Sequence, residues 1–192
     1  MNSDKKIWDD FRNGENYALS HIYYQHVQIL YRYGKKISHD EELIKDTIQD
    51  LFYDLIRTRE NLGETDNIKF YLLRSFRRKL ARGSQSPNER LELGPVDDLT
   101  TRIVFSAEQE IIDKEELSHR EKQVQEGLRT LSSKQREILY YRYTCEMDYD
   151  EICELMQLKY DSARKLVFRS VKALKDNMGG ASMLLFFLSN LW

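Results

Sequence analysis

A chain of 192 residues with 41% hydrophobic content can bury the cores of two small domains, while 32% charged residues points to largely solvent-facing helices. Few glycines and almost no alternating runs weigh against sheet. A net charge of −2 excludes a polycation, so any nucleic-acid contact must rest on local patches.

In chain order, Leu19, Ile22, Tyr23, His26, Leu30 and Tyr33 recur at three- and four-residue steps, which predicts an amphipathic helix that Gly34 and the SHDEE segment interrupt. His21 and His26 are out of register for one metal and read as packing or surface residues. Asp40 suits the cap of a second helix, with Glu41 and Glu42 well placed in its first turn. There Ile44, Ile48, Leu51, Phe52, Leu55 and Ile56 form the stripe expected to be buried, leaving Asp46, Gln49, Asp50 and Tyr53 outside.

LGETDN, residues 62–67, is a polar loop. The helix after it interleaves Phe70, Tyr71, Leu73, Phe76 and Leu80 with Lys69, Arg74, Arg77, Arg78, Lys79 and Arg82. Aromatics among cations suit single-stranded nucleic acid, where bases stack and phosphates are neutralised. Phe70, Leu73 and Phe76 fit a core equally well.

Residues 83–95 hold both prolines and read as a linker, followed by a weakly periodic stretch and a run rich in acids from Glu89 to Glu116. Helical periodicity resumes at Ser106, with Ile111, Ile112, Leu117, Val124 and Leu128. Ser132 or Ser133 can then cap a helix containing Gln135, Ile138, Leu139 and Tyr143.

Residues 131–176 read as a helix-turn-helix. Ile152, Leu155 and Met156 pack a short helix, QLKY breaks it with Leu158 in the turn, and Asp161 or Ser162 can cap a longer one. Ala163, Leu166, Val167, Ser170, Val171 and Leu174 make its packed stripe, so Arg164, Lys165, Arg169, Lys172 and Lys175 face outward. A helix with its N-terminal turns in the major groove and cations on its flanks is how such motifs hold DNA. The alternative is a helical hairpin with a solvated basic face.

The apolar tail, Ala181 to Trp192, needs a covering surface, either the second domain or a partner. It is too short to span a bilayer, and MNSDKKIWDDF has no apolar signal core, so a cytoplasmic protein without membrane insertion is expected. Cys145 and Cys153 have no CxxC or nearby His set, which argues against a zinc site.

Two separated blocks resemble the extracytoplasmic-function class of sigma-70 family RNA polymerase sigma factors. In KDTIQDLFYDLI, Asp46, Gln49, Asp50 and Phe52 stand where that family carries an acidic core-binding helix, with Ile56 where Trp is common. IKFYLLRSFRRKL resembles its helix over the minus-ten promoter element through Tyr71, Leu72, Arg77, Arg78 and Lys79. LSSKQREILYYRY and YDEICELMQLKYDSARKLVFRSVKAL resemble its upstream helix-turn-helix over the minus-thirty-five element. The match covers about two thirds of the chain, in the family's order.

The resemblance implies an all-α fold: a sigma-2-like bundle over residues 1–82, an extended acidic linker over 83–120, a sigma-4-like helix-turn-helix over 121–178 and a tail over 179–192. It implies that Asp46, Gln49, Asp50, Phe52, Tyr53 and Asp54 bind core RNA polymerase. Lys69, Tyr71, Arg74, Arg77, Arg78 and Lys79 would receive the melted non-template strand, with a flipped base held by the LGETDN loop and the start of the next helix. Lys159, Tyr160, Ser162, Arg164, Lys165 and Arg169 would contact upstream promoter duplex. Arg78 replaces a customary Asn, and Leu166 stands where many relatives carry a cation. These departures leave room for a separate DNA-targeting partner, and the tail for an anti-sigma factor.

A helix-turn-helix regulator that does not bind polymerase is the main competing class, and a helical scaffold the second. An enzyme is not expected: there is no Gly-rich phosphate loop, metal-ligand spacing or nucleophilic arrangement, and no cofactor or metal is implied.

Overall fold

The computed structural model describes residues 3–83 and 119–177, all-helical where described. The expected acidic linker, the helix resuming at Ser106 and the apolar tail lie outside these residues. The chain divides into two compact units, Met1–Ile103 and Val104–Trp192.

The first domain holds α1 (Ser3–Arg12), α2 (Asn16–Ile37), α3 (Glu41–Thr58), one short 3-10 turn (Arg59–Asn61) and α4 (Ile68–Gly83). α1 lies ahead of the periodicity expected from Leu19 onward. It forms because Trp8 and Phe11, one turn apart, are both buried. Its anchors reach far along the chain: the Trp8 indole donates to the Gly63 carbonyl at 2.8 Å, and an Asp4 carboxylate oxygen accepts from the Ile68 N–H at 3.0 Å. Asp40 caps α3 as the sequence predicts, accepting from Leu43 N–H at 3.0 Å.

Gly34 does not break its helix. α2 runs through it to Ile37, and Gly34 is buried where α2 passes α3 and α4. A Cβ there would lie 2.7 Å from Cγ2 of Ile44 and 3.1 Å from Cζ of Phe76. The missing side chain sets the approach of three helices; the break comes from the Ser38-His39-Asp40 segment beyond it. A second correction concerns Ile56, placed in the buried stripe of α3 by the sequence reading but 44% exposed. It continues the outer row of Asp46, Gln49, Asp50 and Tyr53 at steps of three and four.

The second domain holds α5 (His119–Thr130), α6 (Ser133–Leu139), a π-turn (Tyr140–Thr144), α7 (Tyr149–Met156) and α8 (Tyr160–Asn177). Ser132 caps α6 and Asp148 caps α7, each in a reciprocal capping box with Gln135 and Glu151. The π-turn extends the helix that was to reach Tyr143, closing with Cys145 N–H on the Tyr140 carbonyl at 3.0 Å. Leu131, Leu139 and Leu174 form a buried cluster, with Leu128, Tyr143 and Val171 packed against it. α8 begins at Tyr160, ahead of the expected Asp161 or Ser162 cap, and its first turn closes with Ala163 N–H on the Lys159 carbonyl at 3.0 Å. Asp161 therefore lies inside the first turn, where its charge suits the helix dipole.

Gly34→Ala separates helix propensity from packing. Alanine should gain about 1 kcal/mol of helical preference, but overpacking against the stiff Ile44 side chain costs about 1–3 kcal/mol. Chemical denaturation should show a net loss of stability; a stabilised variant would mean the three helices do not meet at this residue.

Candidate nucleic-acid and polymerase interfaces

On α3, Asp46, Gln49, Asp50 and Tyr53 occupy one exposed face, as their spacing requires. Tyr53 is prominent at its end, with the Arg57 guanidinium 5.9 Å from its ring centre. Phe52 is buried and packs edge-on to Tyr23, with centroids 5.0 Å apart. That removes it from the expected polymerase-binding set: it supports the face from beneath. Ile56, which sequence periodicity assigned to the core, is instead the exposed apolar residue of this row.

Asp54 is tied to the next helix. Its carboxylate pairs with Lys79 of α4 at 2.5 Å and with Arg57 at 3.0 Å. The Lys79 hydrogen bond, more than the Arg57 charge, holds the Asp54 carboxyl below its ordinary range. Two residues expected in different interfaces thus bridge α3 and α4.

α4 also divides its cations between roles. Arg74, Arg78 and Arg82 are exposed and Lys69 is half-buried. Arg77, expected to contact the melted strand, is only 2% exposed and donates to the Tyr33 hydroxyl at 3.1 Å. The reason is helical phase: Arg77 adjoins Phe76 and lies one turn from Leu73 and Leu80, all buried. It braces α4 against α2 and is not a surface contact. Tyr71 is half-buried beside Trp8, with ring centroids 4.8 Å apart, and burial raises its hydroxyl pKa.

The loop ahead of α4 is built from inside the domain. Trp8 holds Gly63, Asn67 accepts from Phe70 N–H at 2.9 Å, and Thr65 accepts from Asn67 N–H at 3.2 Å. Asn67 is a side-chain cap, and Asp4 supplies a second acceptor to the same helix end. Sequence reading missed the contribution of α1; the signal available was the Trp-x-x-Phe spacing.

In the second domain, Ala163, Val167, Ser170 and Leu174 of α8 are buried, and Leu166 and Val171 are half-buried. Lys159, Tyr160, Ser162, Arg164, Lys165 and Arg169 are all exposed, and Arg164, Lys165 and Arg169 line one depression. The start of α8 is fixed against α7. The Arg142 guanidinium lies 5.1 Å from the Tyr149 ring centre, and Tyr149 meets Tyr160 at 5.5 Å between centroids. The turn itself uses Gln157 at φ +52° and a Leu158 N–H bond to the Cys153 carbonyl at 3.0 Å. Sequence reading missed Phe168, which is 70% exposed on the same face.

Among the described residues there is no cluster of His, Cys, Asp and Glu able to hold a metal, and no helix long and apolar enough to cross a membrane. His26 is partly buried, and that burial lowers its pKa.

The second domain is thus a capped helix-turn-helix with cations on the outer face of its second helix. Residues 121–174 match the family described as sigma-70, region 4. The chain resembles the structure of CnrH in complex with the cytosolic domain of CnrY, with 14% identity, 93% of this chain and 99% of that chain covered, and a TM-score of 0.58. It also resembles the sigma factor RpoE in complex with the anti-sigma factor NepR from Bartonella quintana, with 16% identity, coverage of 83% and 96%, and a TM-score of 0.56. At such identities these likenesses establish the all-α two-domain fold. No curated protein matches the sequence. The region 4 match over residues 121–174 and the fold shared with these structures both agree with the family resemblance read from the sequence.

The burial of Arg77 has a direct consequence. Arg77→Ala should cost about 2–3 kcal/mol by removing the buried hydrogen bond to the Tyr33 hydroxyl and opening a cavity between α2 and α4. Arg78→Ala should leave the melting temperature nearly unchanged. Equal thermal stability in the two variants would restore Arg77 to the surface.

Proposed function

We propose that this chain directs promoter-specific initiation by binding core RNA polymerase through the first domain and promoter DNA through both. The observation that carries the reading is the segregation of charge by helix: an acidic outer row on α3 and a cationic outer face on α8, each backed by a buried stripe. Asp46, Gln49, Asp50, Tyr53 and Ile56 dock on a basic surface of polymerase, where charge complementarity speeds encounter and sets register. Asp54 contributes from the edge of that face while holding Lys79.

Lys69, Tyr71, Arg74 and Arg78 receive the melted non-template strand, with cations on its phosphates and the braced 62–67 loop beside a displaced base. Lys159, Tyr160, Ser162, Arg164, Lys165 and Arg169 engage the upstream duplex. CnrH and RpoE were each captured with a partner, CnrY and the anti-sigma factor NepR. We extend a protein antagonist of this kind to this chain, and a DNA-bound targeting partner to promoters that its own contacts read weakly.

Reconstitution with core polymerase tests the reading. Wild-type chain should co-purify with core and open promoter DNA, whereas Asp46→Lys combined with Asp50→Lys should lose core binding and keep duplex binding. Arg164→Ala should weaken duplex affinity across sequences and lower the slope of log affinity against log salt by about one. A chain that binds duplex but never core polymerase would instead be a conventional helix-turn-helix regulator.

A further inference from the structure

The loop over residues 62–67 has two unlike halves. Its second half ties itself: Thr65 accepts from Asn67 N–H at 3.2 Å, and Asn67 caps α4 through Phe70 N–H at 2.9 Å. Its first half does not. Among the described residues, the polar ties to Gly63 and Glu64 come from α1. The Trp8 indole donates to the Gly63 carbonyl at 2.8 Å, and Lys5 lies 3.5 Å from the Glu64 carboxylate. Asp4 accepts from Ile68 N–H at 3.0 Å, where the loop enters α4. Asp4 and Trp8 are one turn apart, so a single face of α1 reaches both ends of the segment.

These ties differ in weight. Lys5 and Glu64 are both well exposed, and an ion pair in water contributes little. Trp8 is fully buried, its ring 5.7 Å from that of Phe11 and 4.8 Å from that of Tyr71. The indole cannot follow the loop, so any path that takes the Gly63 carbonyl away strands a buried donor. That disfavours other paths by about ten-fold. Crowding does not hold the residue, because a Cβ at Gly63 would meet no atom within 4 Å, and glycine has the most conformational freedom to lose. At the other end, Asp4 satisfies an N–H of the first turn of α4 that has no partner within its own helix.

We propose that α1 is a splint for base selection, with Trp8 and Asp4 as positioning residues that fix the path of the 62–67 loop and thereby the shape it offers to a displaced base. The inference rests on the proposed placing of that base beside the loop and adds what sets the loop's selectivity. Hydrogen bonds to a base edge weaken steeply with distance and angle, so discrimination needs a fixed backbone. Attraction of phosphates to Lys69, Arg74 and Arg78 tolerates a shifted loop. Loss of a tie to α1 therefore lowers selectivity and leaves base-independent affinity in place.

The test uses the full chain reconstituted with core polymerase and the single-stranded DNA that this complex selects from a random pool. Each position of that strand is replaced by the other three bases. A chain with Glu64→Ala, Thr65→Ala and Asp66→Ala together marks the position that the loop reads. Trp8→Phe keeps a buried ring and removes the donor. It should reduce discrimination at that position by about ten-fold, while core binding and the slope of log affinity against log salt stay as in wild type. Asp4→Ala should act in the same direction. Asp4→Asn, which keeps an acceptor for Ile68 N–H, should retain the discrimination. Gly34→Ala, which lowers stability through Ile44 and Phe76, should retain it too, separating positioning from general destabilisation. Full discrimination in Trp8→Phe, or in Asp4→Ala should Trp8→Phe fail to fold, overturns the inference, as does equal loss in Gly34→Ala. A wild-type complex with no base preference at any position sensitive to the loop variant overturns the placing of the base beside the loop, and the inference with it.

Discussion

Burial of one face of each basic helix is the interaction on which everything else depends. An α-helix fixes the angle between its residues, so removing Ala163, Val167, Ser170 and Leu174 from water forces Arg164, Lys165 and Arg169 into it. No additional force is needed to display the cations. The free energy comes from apolar contact, and the electrostatics are carried along with it. α4 obeys the same rule, and for that reason it claims one of its own arginines: Arg77 lies on the buried side of the helix, and Tyr33 receives it.

Charge in this molecule thus divides into groups that hold the fold and groups that face outward. Asp54 and Lys79 lock α3 to α4, and Glu137, 4% exposed, accepts from the buried Tyr141 hydroxyl at 3.1 Å. The locked pairs orient the helices from which the outward groups project. Around α8, orientation comes from rings as much as ions, through the Arg142, Tyr149 and Tyr160 stack at the mouth of the turn. The first domain solves the equivalent problem with α1, whose Trp8 and Asp4 hold the loop and the N-terminus of α4. A flat polar loop would not hold one conformation by itself, since it buries too little to offset its backbone entropy.

A mostly cationic recognition face binds any duplex; selectivity needs groups that phosphate does not satisfy. Asp161 and Phe168 interrupt the cationic face of α8, and both lie where the helix is turned away from its own domain.

Helix periodicity was enough to read the all-α class, the Asp40 cap, a cap at Ser132 or Ser133, the acidic row of α3 and the packed stripe of α8 from sequence. Each depends on residues three or four apart, so local spacing contains the whole answer. The errors occurred where distant residues decide. Gly34 reads as a break until Ile44 and Phe76 arrive beside it, and then it is the one residue small enough for the crossing. Arg77 reads as a phosphate contact until Tyr33, far back in the chain, offers it a buried partner. Ile56 and Phe168 read as core or go unnoticed because hydrophobicity does not state which side of a helix will find a neighbour. The sequence by itself determined which residues share a face. Only tertiary structure decided which faces are covered, because burial requires a second surface that local spacing does not contain.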